Sequence, residues 1–335
     1  MTGALTDPAW VTPVEREPVA LGGRIRVQPA DFQVDEIPLV RPAGRGDYVL
    51  FQIEKQEMST FDAILRVSKG AKVSEQRVGY AGLKDRRAVT TQWFSLPLET
   101  ADPEALGESL PPPLELTEWQ RARHAVRRGG LRANRFTIRL RRLAVDPDTL
   151  AARLNALRSG IPNYFGEQRF GRDGNNVSLA DAWASGKRLP RHKRSVAIST
   201  ARSLMFNEQL DARVRAATWN TIVSGDRANL DGTGSVFNVE EVDDEIRRRC
   251  NEMDIHPAGE LPGDGSNGTN ERWIAALGKA RVEAGTRSLR LRVSDLTCKI
   301  GEDAFELEFT LGRGAFATSV LREIVVSCES RNQCG

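Results

Sequence analysis

Three stretches of strict two-residue alternation frame the chain. Tyr48 to Glu54 puts Val49, Phe51 and Ile53 on one face, Asn134 to Arg141 sets Phe136, Ile138 and Leu140 opposite Arg135, Thr137, Arg139 and Arg141, and Glu306 to Leu311 repeats the pattern with Leu307, Phe309 and Leu311. Such alternation marks half-buried strands. Shorter strands are predicted over Arg24 to Val27, over Phe32 to Ile37 after the Pro29 turn, over Arg77 to Tyr80 and over Ser288 to Val293. Elsewhere the period is helical. Ser59 or Thr60 is placed to cap a helix that buries Phe61, Ile64 and Leu65 and ends near Gly70, and a second helix, Pro147 to Arg158, ends at Gly160. Residues 160–290 read as mostly helical, with patterns over Ala201 to Ala217 and Val242 to Met253 and a loose loop over Pro257 to Thr269. A last helix is predicted near Ala317 to Val326, and the Pro-rich stretch Glu108 to Leu116 reads as a linker.

The end of the chain therefore matches its beginning better than its middle. That suggests a second domain inserted into the first, and a length of 335 residues suits about two domains. The net charge of +3 gives only a weak global field, so an anionic partner must be met by local patches. Two exist: nine arginines and no acid over Arg121 to Arg142, and five cations in the eight residues Lys187 to Arg194. Each is either solvated surface or a contact for nucleic-acid phosphates. Cys250, Cys298, Cys328 and Cys334 are widely spaced and do not cluster with His124, His192 or His256, which argues against a zinc site or a disulfide framework. Reduced thiols, no signal-like N-terminus and no membrane-length apolar run place the chain in the cytoplasm, off the membrane.

The densest candidate for chemistry is Gly79 to Trp93, GYAGLKDRRAVTTQW. Its one carboxylate, Asp85, lies between Lys84 and Arg86-Arg87 after a glycine-spaced turn, and neighbouring cations favour the charged form that a nucleophile or base needs. The alternative is a turn residue paired with an arginine. A second dense motif, Ile161 to Asn176 (IPNYFGEQRFGRDGNN), interleaves Tyr164, Phe165 and Phe170 with Arg169 and Arg172 and adds Gln168 and several asparagines. Rings and guanidinium planes of this kind stack on unpaired bases. The same pattern also fits a buried hinge whose aromatics are core. There is no dinucleotide-binding glycine fingerprint, phosphate loop or zinc-hydrolase or zinc-deaminase motif. A cofactor-free reaction led by a carboxylate is what remains.

GYAGLKDRRAVTTQW followed by NYFGEQRFGRDGNN resembles the TruD-type tRNA pseudouridine synthases. RVQPADFQVDE, LRANRFTIRLR, STARSLMFNEQL, DIHPAGELPGDG and GRGAFATSVLRE extend the resemblance over nearly the whole chain. It implies an α+β fold: a catalytic domain on a mixed, mainly antiparallel sheet (residues 1–159 and 291–335), interrupted by an inserted α/β TRUD domain (160–290), with an RNA cleft between them. It also implies a monomer that isomerises uridine 13 of the tRNA D-arm with no metal or cofactor. By motif, Asp85 becomes the catalytic aspartate, with Arg26 and Phe136 supporting it and Phe32, Asn134 and Phe316 enclosing the target base. Lys84, Arg86 and Arg87, with Phe165, Gln168, Arg169 and Arg172, are left to face RNA. Arg26 stands where the family commonly has lysine, which keeps a positive charge but puts a proton-transfer role in doubt. Two other readings use the same features: an RNA chaperone indifferent to Asp85, and a glycosidase that releases free uracil.

Overall fold

The alternating stretches pair with one another. The computed structural model describes residues 25–40, 42–141, 147–301 and 304–324. Its first elements are β1 (Phe32–Pro38), β2 (Tyr48–Gln56), α1 (Thr60–Gly70), β3 (Gly79–Tyr80), β4 (Val89–Pro97), α2 (Pro103–Ser109), β5 (Leu114–Ala122) and β6 (Leu131–Arg141). After α3 (Pro147–Leu157) come β7 (Ile161–Pro162), α4 (Asn175–Ala184), α5 (Arg191–Arg215), β8 (Arg227–Leu230), β9 (Val236–Asn238), α6 (Asp244–Asn251), β10 (Ile255–Leu261), α7 (Glu271–Lys279), β11 (Gly285–Ser288) and β12 (Arg290–Leu291). The last are β13 (Ser294–Ile300), β14 (Ala304–Gly312) and α8 (Ala317–Arg322). The chain forms two compact units, one from the described parts of Val19–Leu154 and Val293–Gly314, the other from Asn155–Arg292 and Ala315–Glu323.

The first unit is built on one sheet, ordered β13-β14-β6-β1-β4-β2-β5, with β3 beside β4. The β1–β4 pair is parallel and the other neighbours are antiparallel, so the sheet is mixed and mainly antiparallel, as expected. Register and alternation put Phe32, Val34, Phe51, Ile53, Phe94, Phe136 and Ile138 on one buried face. Across β6 and β14, Phe136 is in register with Phe309 and stacks on it with ring centroids 5.4 Å apart.

Four expectations change. No strand forms over 25–28; Arg26 is left-handed (φ 58°) there, and Arg24 lies outside the described residues. Ser59 does cap α1, accepting from the Asp62 amide, but Ala63, Ile64 and Val67 face inward, while Phe61 is 56% exposed and Leu65 is also exposed. The helix is rotated because Thr60, its first residue, is itself buried. Pro111 to Pro113 do not leave the unit: the segment joins α2 to β5, which pairs along β2. Pro257 to Leu261, read as loop, belong to β10, a middle strand of the second unit's sheet (β11-β10-β8-β9). Pro257 has no N–H to give the ladder, and its carbonyl accepts the Leu289 amide at 2.8 Å. The part of the last expected helix beyond Ile324 lies outside the described residues.

Candidate active site

β3, which leads into the Asp85 loop, begins at a glycine that nothing else could replace. A Cβ on Gly79 would fall 2.3 Å from Ser95 Oγ and 2.5 Å from the Val126 carbonyl, whereas one on Gly82 would make ordinary contact. Beyond Gly82 the backbone has no regular partner, and side chains from four strands and a helix hold it. Gln92 Nε2 donates to the Gly82 carbonyl at 2.6 Å. Thr60 Oγ1 accepts the Lys84 amide at 3.0 Å and donates to Gln92 Oε1 at 3.1 Å, which fixes the orientation of that amide group. Lys55 Nζ donates to the Asp85 carbonyl at 3.4 Å and to the Met58 carbonyl at 2.7 Å.

The Lys84 ammonium turns inward, pairs with Glu36 Oε2 at 2.8 Å and donates to Asn134 Oδ1. Glu36 and Asn134 are directly opposed in the β1–β6 ladder. Burial pushes the Glu36 carboxyl above its usual range despite the attraction of Lys84. Glu36 follows Phe32 and Val34, Asn134 precedes Phe136 and Ile138, Gln92 precedes Phe94, and Lys55 follows Phe51 and Ile53, each on the same alternating face. Part of an apolar sheet face is thus polar, and it lies under the loop. Its hydrogen bonds to the Gly82, Lys84 and Asp85 backbone rigidify the loop.

Asp85 itself projects outward, with its side chain 39% exposed. Its Oδ2 accepts from Arg26 Nη2 at 3.3 Å, which brings together the two residues that the sequence motifs single out. The guanidinium lies 4.0 Å over the Phe32 ring, and Phe32 is edge-on to Phe136 at 6.2 Å. Phe32 is therefore 1% exposed and serves as a platform beneath Arg26, not as an open wall for a base. Arg26 holds this place at a left-handed φ of 58°, a conformation that costs a non-glycine residue on the order of 1 kcal/mol or more. Among the described residues no group of three metal-ligating side chains converges.

The sequence profile described as tRNA pseudouridine synthase D (TruD) matches residues 16–179 and 177–324. Relatives named tRNA pseudouridine synthase D are 42% identical over 328 residues in Methylococcus capsulatus, with 92% of each chain covered, and 38% identical over 322 residues in Pseudomonas putida, with 88% of this chain and 89% of the other covered. The chain belongs to the TruD family. The fold agrees: a crystal structure from Methanosarcina mazei, described as a TruD protein, superposes with a TM-score of 0.72 at 21% identity, covering 94% of this chain and 96% of the other.

Other residues expected in the site of this TruD protein divide. Arg86 and Arg87 are exposed beside Asp85, but the Lys84 side chain is 4% exposed and engaged by Glu36 and Asn134, so it does not face phosphate. Asn134, whose oxygen must face a donor-only ammonium, presents its NH2 group. Phe165 is core: Arg287 lies 4.1 Å over its ring, Phe206 meets it edge-on, and Asn207 makes reciprocal bonds to its amide and carbonyl. Stacking on a base is closed to it. Arg169 is half-buried, donates to Ser199 Oγ at 2.8 Å, and has its pKa lowered by burial. Gln168 is exposed, and the Arg172 side chain lies outside what is described. Phe316 belongs to the second unit, where it packs against the cluster containing Phe165 and Phe206. On β6 the expected basic face is neutralised, since Arg139 pairs with Glu306, Arg135 with Glu308 and Arg141 with Asp31. Lys187 to Arg194, leading into α5, are exposed apart from the half-buried Leu189. Lys55, Thr60, Gln92 and Glu36 were not singled out from sequence. For Lys55 a signal existed: the alternation of Val49, Phe51 and Ile53 continues onto it.

Proposed function

We propose that this chain is a cytoplasmic, monomeric tRNA pseudouridine synthase that isomerises uridine 13 of the tRNA D-arm, with Asp85 as its catalytic residue and residues 160–290 as the inserted TRUD domain. The observation that carries the reading is the Asp85 loop of a TruD-family chain: a half-exposed carboxylate on backbone tied down by buried side chains from β1, β2, β4, β6 and α1.

The reaction breaks the N1–C1′ bond, turns the freed uracil, and joins C5 to C1′; the proton leaving C5 is balanced by one gained at N1. A fixed carboxylate serves as nucleophile towards the sugar or the base, or as the base that removes a proton. Arg26 compensates the carboxylate and orients it from its seat on Phe32. The target must leave the helical stack to reach Asp85, and the Asn134 NH2 group offers a donor for a uracil carbonyl. Arg86, Arg87, Gln168 and the Lys187–Arg194 run meet the tRNA backbone.

The deciding experiment replaces Asp85 by Asn and maps pseudouridine at nucleotide resolution in tRNA, with tRNA affinity measured alongside. Loss of the modification with affinity retained is expected. An active Asp85→Asn enzyme, or free uracil as the product of the wild type, refutes the assignment.

A further inference from the structure

A charged side chain sits where the strand pattern calls for an apolar one. Val49, Phe51 and Ile53 of β2 line the core under α1, and Lys55 is the next residue on that face, with no exposed surface. Burying an ammonium is costly unless its charge is used. Both of its acceptors are backbone carbonyls, those of Met58 and Asp85, and among the described residues no carboxylate pairs with it. The charged groups facing it are Asp85 and Lys84 from the loop and Asp62 from α1. A hydrophobic residue would pack better here, so the charge must act on something, and Asp85 is the anion that leads those facing groups.

We propose that Lys55 is a positioning residue for the reaction: its ammonium joins the Asp85 carbonyl to the Met58 carbonyl and so fixes the carboxylate against Arg26. The role deepens the reading of Asp85 as catalytic and rests on it. Lys55 acts from behind, as a point charge reaching two acceptors that diverge, where a planar guanidinium needs a different spacing. Thr60 and Gln92 hold the same loop at Lys84 and Gly82, but Lys55 alone of the three reaches the reacting residue. Desolvation by the core lowers its pKa to about 8, offset in part by Asp85, so the ammonium itself titrates within reach of an assay.

The test is Lys55→Met, which keeps the length and removes the charge. A kcat lowered by about 10²-fold is expected, the scale of a catalytic group displaced by roughly 1 Å, with KM and tRNA affinity within about twofold and an unchanged or higher Tm. Wild-type kcat should fall as pH rises through about 8, and the variant should lack that limb. A variant with wild-type kcat overturns the proposal, as does one that loses kcat, affinity and Tm together. If Lys55→Met fails to fold, the wild-type profile decides: a flat kcat from about pH 7 to 9.5 overturns it. An inactive Asp85→Asn beside a fully active Lys55→Met sinks this role and leaves the proposed function standing, whereas an active Asp85→Asn sinks the function itself.

Discussion

Replacing Lys84 by Met should be among the most damaging single changes in the first unit. Glu36 is fully buried and the Lys84 side chain nearly so, at 2.8 Å from each other. Met keeps the length but leaves the buried Glu36 carboxylate without its cation, and breaking a buried pair in this way costs about 3–5 kcal/mol against a total stability of about 5–15 kcal/mol. The pair is nonetheless a poor source of net stability. Burial holds the Glu36 carboxyl above its usual pKa even with Lys84 beside it, so desolvation outweighs attraction. Replacing both partners at once, Glu36→Leu with Lys84→Met, should therefore be near neutral or stabilising by about 1–4 kcal/mol. The same double variant should lose most of its kcat, because the loop is freed from Asn134. Urea unfolding of the wild type, Glu36→Leu, Lys84→Met and the double variant gives the coupling energy directly. The pH dependence has a definite sign. A carboxyl whose folded pKa is raised destabilises the fold when ionised, so relative to the double variant the wild type gains stability as pH falls through that raised value, the gain being complete below 4.5. A Lys84→Met cost below about 1 kcal/mol, or a double variant as unstable as the two singles summed, refutes the reasoning.

Other outcomes follow from the same geometry. Arg290→Met should cost about 3–5 kcal/mol in chemical denaturation, because the buried guanidinium satisfies the carbonyls of Cys250, Ile255 and Asn220 and the Nδ1 of His256. Phe165→Ala should lower stability by about 3–5 kcal/mol as a core truncation, while tRNA affinity measured well below its Tm stays unchanged. Changing Lys187, Arg188, Arg191 and Lys193 to Gln should flatten the dependence of log affinity on log salt by about 0.7–0.9 for each phosphate no longer neutralised. Arg135→Gln with Arg139→Gln should leave that slope unaltered, since Glu308 and Glu306 already neutralise them.

Legibility followed the range of the interactions. Alternation located β2, β6 and β14 because a half-buried strand writes its burial into neighbouring residues. The Asp85 loop announced itself through a glycine and a cluster of charge. Its supports Glu36, Lys55, Thr60 and Gln92 did not, because they come from four elements and meet only in the folded sheet. Taken singly, each is an ordinary polar residue in or next to a strand or helix. The neutralised face of β6 was hidden for the same reason: its glutamates lie on β14, at the far end of the chain. Phe165 misled differently, since aromatic residues among glycines in a loop carry no period that separates core from surface.

The pairing of β14 with β6 also sets a timetable for synthesis. β6 ends at Arg141 and its partner begins at Ala304, so a nascent chain must carry β6 as an open sheet edge while residues 142–303 are being made. During that interval Phe136 lacks Phe309, and a long alternating strand with unpaired amides is available to any other chain nearby. Arg135 and Arg139, which end as partners of β14, spend this period as like charges that keep such edges apart.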